Sequence, residues 1–302
     1  MLTESGLAYD REWMVVREDT GKFISQREKG LLALVQVSLP VEALSAAQWG
    51  AARLPPDAAL TVTAPGMAAP LKVPLARRPD SEAKKVTVWE WTGTATDEGA
   101  DAAAWFSTYL GLPCRLVRYL GSSSNSSGGS SSSALPIVRS SDPEFAVNYE
   151  VRFSDGYPML LATQAALADL NAKLAEPLPM NRFRPNIEVA GASPWAEDTW
   201  RDMDVACAAD GRTVRLTSVK PCSRCKVTTI NQATGEAGDE PLDTLGEFRT
   251  GKVLGWNAKQ KPWTHAVFFG WNVVSRTPGL LSVGDVLTPV SQQQPADMVP
   301  AP

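Results

Sequence analysis

The stretch Pro221-Cys222-Ser223-Arg224-Cys225-Lys226-Val227-Thr228-Thr229-Ile230 sets two thiols three positions apart, with an arginine between them and a β-branched run behind. A soft metal ligand and a cation are thereby expected at the mouth of a strand over 226–230. Four roles use a cysteine in such a place: metal ligation, redox attack, half of a zinc site, or the packing of a small apolar side chain. Zinc takes four nitrogen or sulfur ligands, usually as two spaced pairs. Beyond this pair the chain offers only the scattered Cys114 and Cys207 and a single histidine, His265. A thioredoxin-type C-x-x-C lies between a strand and a helix that lowers the thiol pKa, but no helical period follows here before the turn at Gly235. Those two readings are disfavoured. Plain packing still competes with metal ligation, because free cysteine is among the most buried residue types.

The elements that position these residues are read from a chain of 302 residues, long enough for one large or two modest domains, with 44% hydrophobic and 21% charged residues. The net charge of −4 gives no general pull toward nucleic acid, so an anion would have to be held by locally placed arginines. Four cysteines without framework spacing point to a reducing compartment. No apolar run approaches the roughly 18 residues of a membrane span, so membrane association is not encoded in this sequence. The start lacks the charged and apolar regions of a signal peptide. It enters structure abruptly, and a preceding strand is expected to be missing.

The first half reads as mainly β. Tyr9–Val16 and Lys22–Arg27 form an expected hairpin around Glu18-Asp19-Thr20-Gly21, and Leu31–Leu39, Leu60–Ala64, Leu71–Leu75 and Val86–Trp91 follow as short strands. Arg11, among apolar neighbours, reads from sequence alone as snorkelling to the surface. Asp97–Leu110 has helical spacing, stopped by Gly111 and Pro113, and Arg115–Tyr119 closes the region as a strand. The Ser/Gly-rich run 121–133 cannot bury apolar area and reads as flexible coil. The domain division expected is 1–120, a flexible insert and linker over 121–144, a second domain over 145–290, and a disordered tail over 291–302. In the second half Thr163–Leu174 reads as a helix with Thr163 as N-cap. Arg184 is expected to be extended because Pro185 follows it. Val214–Val219, Lys226–Ile230, Val267–Val274 and Val286–Val290 read as strands of a barrel or strongly curved sheet.

Several motifs together resemble a known family: Asp10-Arg11-Glu12-Trp13 with Ser25-Gln26-Arg27, Phe183-Arg184-Pro185-Asn186, Ala196-Glu197-Asp198-Thr199-Trp200, Cys222-Ser223-Arg224-Cys225 with Thr228-Thr229, Glu240-Pro241-Leu242, and Val283-Gly284-Asp285. They look like the MOSC-domain proteins with an N-terminal β-barrel domain, most closely the amidoxime-reducing components. The resemblance runs from about Gly6 to Pro289, interrupted at the Ser-rich insert. It implies an α+β, mainly β fold: a β-rich N-terminal domain, then a MOSC-type β-barrel with flanking helices.

The same resemblance implies a molybdenum cofactor, molybdopterin with its Mo, whose protein ligand is Cys225. It implies that Arg184 and Asn186 hold the cofactor, that Ser223 and Arg224 flank the ligand, and that Arg11 grips the pterin phosphate. Bidentate, permanently charged guanidinium groups suit that phosphate better than lysine does. Gly156 and Tyr157 match a family turn near the site, with different residue types. The family's P-V-K-S strand, which lies upstream of the D-R-x-W hairpin and contributes a lysine and a serine, has no counterpart here. The implied activity is two-electron reduction of small N-hydroxylated substrates such as amidoximes to amidines or amines and water. Electrons are expected from a b-type cytochrome and its NADH-dependent reductase, since the sequence has no G-x-G-x-x-G after a strand. Two alternatives remain: a non-catalytic sulfur-handling or carrier module, since MOSC domains also occur in cofactor sulfurases, and an inactive relative with the cofactor lost. Against the first stands that those proteins place a pyridoxal-phosphate domain ahead of the MOSC domain, and this sequence shows none.

Overall fold

A computed structural model describes residues 1–44, 54–122, 135–256 and 261–294. In the first half run β1 (Leu2–Thr3), β2 (Gly6–Leu7), β3 (Trp13–Arg17), β4 (Gln36–Ser38), β5 (Ala59–Thr63), β6 (Leu71–Pro74), β7 (Ala83–Val88), β8 (Trp91–Asp97), α1 (Ala100–Leu110) and β9 (Cys114–Tyr119). The second half contains β10 (Met159–Thr163), α2 (Gln164–Asn171), β11 (Ile187–Val189), β12 (Asp202–Ala206), β13 (Thr213–Ser223), α3 (Leu242–Phe248), β14 (Phe268–Val274) and β15 (Val286–Pro289). The class is α+β and mainly β, as expected. No helix among the described residues is long and apolar enough to cross a membrane.

The first half folds as an antiparallel sheet in the order β3-β9-β8-β7 and a second sheet β4-β5-β6. The alternation of a strand explains how the first sheet is covered on both faces. Val15 points with Leu116 into a core shared with Val62, Val73 and Phe106 of α1, whereas Met14 and Val16 point with Val117 into another made by Val86, Val88 and Ala95. Helix α1 stops at Gly111, whose φ of 66° is the left-handed cap that glycine adopts without a Cβ penalty.

The second half is a six-stranded sheet in the order β11-β10-β14-β13-β12-β15, antiparallel except for the β10–β11 pair. All five residues of β10 are buried, as a central strand covered on both faces requires. Thr163 caps α2 as expected, its hydroxyl accepting from Ala166 N at 3.1 Å. Strand β13 is long, and its pairing with β14 shifts register between Ser218 and Lys220 and again between Pro221 and Ser223. Such bulges bend a strand, and here they fall just ahead of the cysteine motif, whose Cys222 and Ser223 end β13 and whose Arg224 and Cys225 lie beyond it.

Several local expectations are corrected. Lys22–Arg27 is no strand: only Lys22 and Phe23 make isolated bridges, to Thr87 and Val16. The strand expected from Tyr9 begins at Trp13, because Tyr9 and Arg11 are left-handed (φ 63° and 51°). Leu31–Leu39 splits into a 3-10 turn, Gly30–Leu34, and the short β4. Lys226–Thr229 is a 3-10 turn rather than a strand. The Thr228 and Thr229 hydroxyls donate to the carbonyls of Cys225 and Lys226 at 2.9 and 3.0 Å, a local bonding mode that overrides β-branched propensity. Strands β8, β10 and β12 and helix α3 carry no expectation from the sequence reading.

Most of the Ser-rich run, 123–134, lies outside the described residues, as does 295–302 of the tail. The stretch 135–144 is tied into the fold: Arg139 and Ser141 are buried, and Thr94 N donates to Pro136 O at 2.9 Å. Ser291 and Gln293 are also bonded, to Asp202 and Trp200.

Candidate functional site

All eight residues singled out in the sequence, Arg11, Gly156, Tyr157, Arg184, Asn186, Ser223, Arg224 and Cys225, line one cleft of about 970 Å³ between the two halves.

Two anchors fix the Phe183–Asn186 segment. Phe183 is fully buried and stacks on Phe269, ring centroids 3.7 Å apart. Asn186 clips onto β10, donating from its backbone N to Leu160 O at 2.8 Å and accepting from Leu160 N on Oδ1 at 2.9 Å. Between these anchors Arg184 turns through φ 56°, left-handed rather than extended as expected. The proline excludes the right-handed helical region, and the two anchors decide which of the remaining conformations is adopted.

The Asn186 amide also donates to Asp10 Oδ2 at 2.7 Å, and Asp10 Oδ1 holds Arg11 Nη1 at 3.0 Å. The amide of Asn186 is thus committed to placing Arg11. Arg152 fixes the same loop, donating to Leu7 O at 2.6 Å and Asp10 O at 3.2 Å. A non-glycine residue held in a disfavoured backbone region costs of order 1–3 kcal/mol, and such residues concentrate where the surroundings over-determine them, as at ligand sites. Arg11 and Arg184, the two arginines assigned to the phosphate and pterin, are both of this kind.

In the cysteine loop, Arg224 N donates to Val267 O at 2.7 Å, and the guanidinium reaches Cys222 Sγ at 2.8 Å and Phe183 O at 2.9 Å. Its Nε is buried with no hydrogen-bond partner among the described residues. Burial pushes the Cys222 thiol up, opposed in part by Arg224, so Cys222 is a neutral thiol that accepts from the guanidinium. Cys225 is exposed, as is Ser223.

Gly156 lies opposite, where an added Cβ would meet nothing within 4 Å. The buried Tyr157 donates to Asp142 Oδ2 at 3.2 Å, and burial followed by Asp142 raises its phenol well above the ordinary range. Its hydroxyl is already in use, and the residue serves as wall.

Of three further cleft cations, Arg139 and Lys220 carry no signal in the sequence beyond their residue type, while Arg27 stands in the Ser25-Gln26-Arg27 motif but has no role assigned from it. Arg139 is buried and ties the turn ahead of Gly156 by donating to the carbonyls of Arg152, Ser154 and Asp155. Lys220 pairs with Asp142 at 3.2 Å and lies over the Phe145 ring. Arg27 lies over the Trp89 ring. The cleft therefore collects six cations, Arg11, Arg27, Arg139, Arg184, Lys220 and Arg224, against the carboxylates Glu90, Asp142 and Asp155. Burial, and then the neighbouring Arg11, lower the Arg184 pKa to about 10, so it remains charged at neutral pH. A positive cleft in a chain of net charge −4 is built for an anion.

Residues 1–113 match the MOSC N-terminal beta barrel domain, and residues 148–288 match the MOSC domain. The chain belongs to the MOSC-domain proteins that carry this N-terminal barrel. It is similar to mitochondrial amidoxime reducing component 2 of Bos taurus, 29% identical over 283 residues, which are 93% of this chain and 73% of that protein. To mitochondrial amidoxime-reducing component 1 of Mus musculus it is 29% identical over 289 residues, 94% of this chain and 74% of that protein. It is also similar to the molybdenum cofactor sulfurase of Oryza sativa subsp. japonica, at 26% identity over 266 residues, 84% of this chain but 29% of that protein.

Proposed function

We propose that the chain is a molybdenum-cofactor oxidoreductase that reduces small N-hydroxylated compounds such as amidoximes. The observation that carries this reading is the cationic cleft with an exposed cysteine in its wall. Among the described residues no group of three or more His, Cys, Asp or Glu side chains gathers into a metal site. A metal at Cys225 would thus take its other ligands from an organic, anionic cofactor, and the cleft has the donors for one. Arg224 Nε is a buried donor without a partner, and Arg184 makes no hydrogen bond or ion pair among the described residues.

In this reading Cys225 is the protein's ligand to molybdenum, Arg11 and Arg184 hold the phosphate and pterin, and Ser223 and Arg224 border the ligand. Asn186 and Asp10 position Arg11, and Cys222 positions Arg224. The bound cofactor would supply two-electron transfer. The substrate takes up two electrons and two protons, its N–O bond breaks, and the amidine and water leave. Arg11, Arg184 and Arg224 would neutralise the charge of the bound cofactor. Electrons would come from a b-type cytochrome and its NADH-dependent reductase.

The match to a cofactor sulfurase supports one competing reading, a sulfur-handling module. The test is molybdenum and pterin content, with benzamidoxime reduction by a chemical donor, in wild type, Cys225→Ser and Cys222→Ala. Cys225→Ser is expected to abolish turnover, while Cys222→Ala retains much of it. Equal loss in both variants removes the ligand assignment, and a chain that binds cofactor without reducing benzamidoxime favours the sulfur-handling module.

A further inference from the structure

We propose that Arg27, laid on the Trp89 ring at the edge of the cleft, recognises a carboxylate carried by the substrate, so that the site prefers anionic N-hydroxylated aromatic compounds to neutral ones. The proposal rests on the reductase reading for its substrate and on the following geometry for its site. Four of the six cleft cations are committed within the protein: Arg11 to Asp10, Arg139 to three carbonyls, Lys220 to Asp142, and Arg224 to Cys222 and Phe183. Arg184 and Arg27 make no hydrogen bond or ion pair among the described residues. Arg184 is sunk beside Arg11 and belongs with the cofactor. Arg27 is exposed and is the cation left for whatever enters afterwards.

Its seat is built. The Arg27 Cζ stands 4.6 Å from the Trp89 ring centroid, and the Trp89 ring is 5.1 Å from Phe23. Trp89 lies in the tight turn between β7 and β8 with φ 52°, a strained conformation for a bulky residue, and its indole N–H donates to Asp155 Oδ1 at 3.2 Å. A guanidinium stacked by its face keeps its edge donors free, in the fork that matches a carboxylate. The aromatic rings beside it supply apolar surface for an aryl group. The position of Arg27 relative to the cysteine loop is also fixed. Its neighbour Gln26 exchanges hydrogen bonds with Gln232 at 3.3 and 3.0 Å, just beyond the 3-10 turn that Cys225 opens.

The experiment compares 4-carboxybenzamidoxime with benzamidoxime on cofactor-loaded protein, using a reduced viologen as donor. Wild type is expected to favour the anionic compound in kcat/KM by about five- to tenfold, the range between an exposed ion pair and a charge-assisted hydrogen bond. The ratio falls toward one in Arg27→Gln and in Trp89→Leu, and it shrinks with added salt. Molybdenum and pterin content stay at the wild-type level in Arg27→Gln. An unchanged ratio in that variant overturns the proposal, and so does a loss of pterin, which would assign Arg27 to the cofactor. If loaded wild type reduces neither compound, the reductase reading fails. Calorimetry with 4-carboxybenzamidine and benzamidine then decides the site separately: tighter binding of the carboxylate that disappears in Arg27→Gln supports it, and equal dissociation constants in wild type overturn it.

Discussion

Replacing Arg184 by glycine is expected to stabilise the cofactor-free chain while weakening its hold on the cofactor. Two unfavourable terms act at this residue. A left-handed conformation at a non-glycine residue costs roughly 1–2 kcal/mol, of which glycine's greater unfolded-state freedom returns about 0.5–1 kcal/mol. Arg184 has this conformation, at φ 56°. The second term is charge: its pKa stands at about 10 against an ordinary 12.5, through burial first and Arg11 second. At full strength that corresponds to about 3 kcal/mol, and solvent in the cleft reduces it to roughly 1–2 kcal/mol. Because the folded pKa is the lowered one, the penalty is fully present at pH 7 and is relieved only as pH rises through about 10. Arg184→Gly removes both terms, and Arg184→Leu removes the charge but keeps the strain. The glycine variant should gain about 2 kcal/mol, or roughly 3–6 °C in Tm, and the leucine variant about half as much. Thermal denaturation of cofactor-free protein reads the gain. Pterin and molybdenum content after co-expression with the cofactor pathway should drop about ten- to a hundredfold in both variants, the loss of one charge-assisted contact. A lower Tm for Arg184→Gly, a leucine variant more stable than the glycine one, or undiminished cofactor content would refute the reasoning.

Glu197 is buried and accepts from Thr163 Oγ1 at 2.9 Å, and burial raises its carboxyl from 4.5 to about 7. The folded state binds this proton more tightly, so its contribution to stability is full below pH 4.5 and lost as pH rises through 7, about 3 kcal/mol in all. Urea unfolding should show that fall in wild type, and in Glu197→Gln the same range should lack it. A Cβ at Gly30 would stand 2.0 Å from Gly235 O, where the two halves meet backbone to backbone, so Gly30→Ala should lower stability by roughly 1–3 kcal/mol in chemical denaturation; no change would mean that this contact relaxes freely. Truncating Cys222 to alanine removes the acceptor at 2.8 Å from Arg224 Nη1 and should raise KM more than it lowers kcat, an expectation defeated by a change confined to kcat.

Much of the chemistry was legible in the sequence because motifs fix residue type and local spacing. The arginines, the asparagine and the cysteine motif stand in recognisable order, and Thr163 and Gly111 announce the ends of α2 and α1 through capping chemistry that acts within a few residues. The mainly β class was legible for a similar reason, since short branched and aromatic runs divided by proline and glycine leave few other folds open.

Tertiary structure decided what those residues do with one another. The strand expected over 226–230 is a 3-10 turn because two threonine hydroxyls bond backward, and Arg184 is left-handed because Phe183 is held by Phe269 and Asn186 by Leu160. Asn186 turned out to be committed to Asp10 and β10, and Tyr157 to Asp142. Arg139, Lys220 and Arg27 come from separate loops and strands, and only the folded sheets bring their charges into one cleft with Cys225. A one-dimensional pattern records spacings of a few residues. The field in that cleft depends on distances across the two halves of the chain, and these are set by packing.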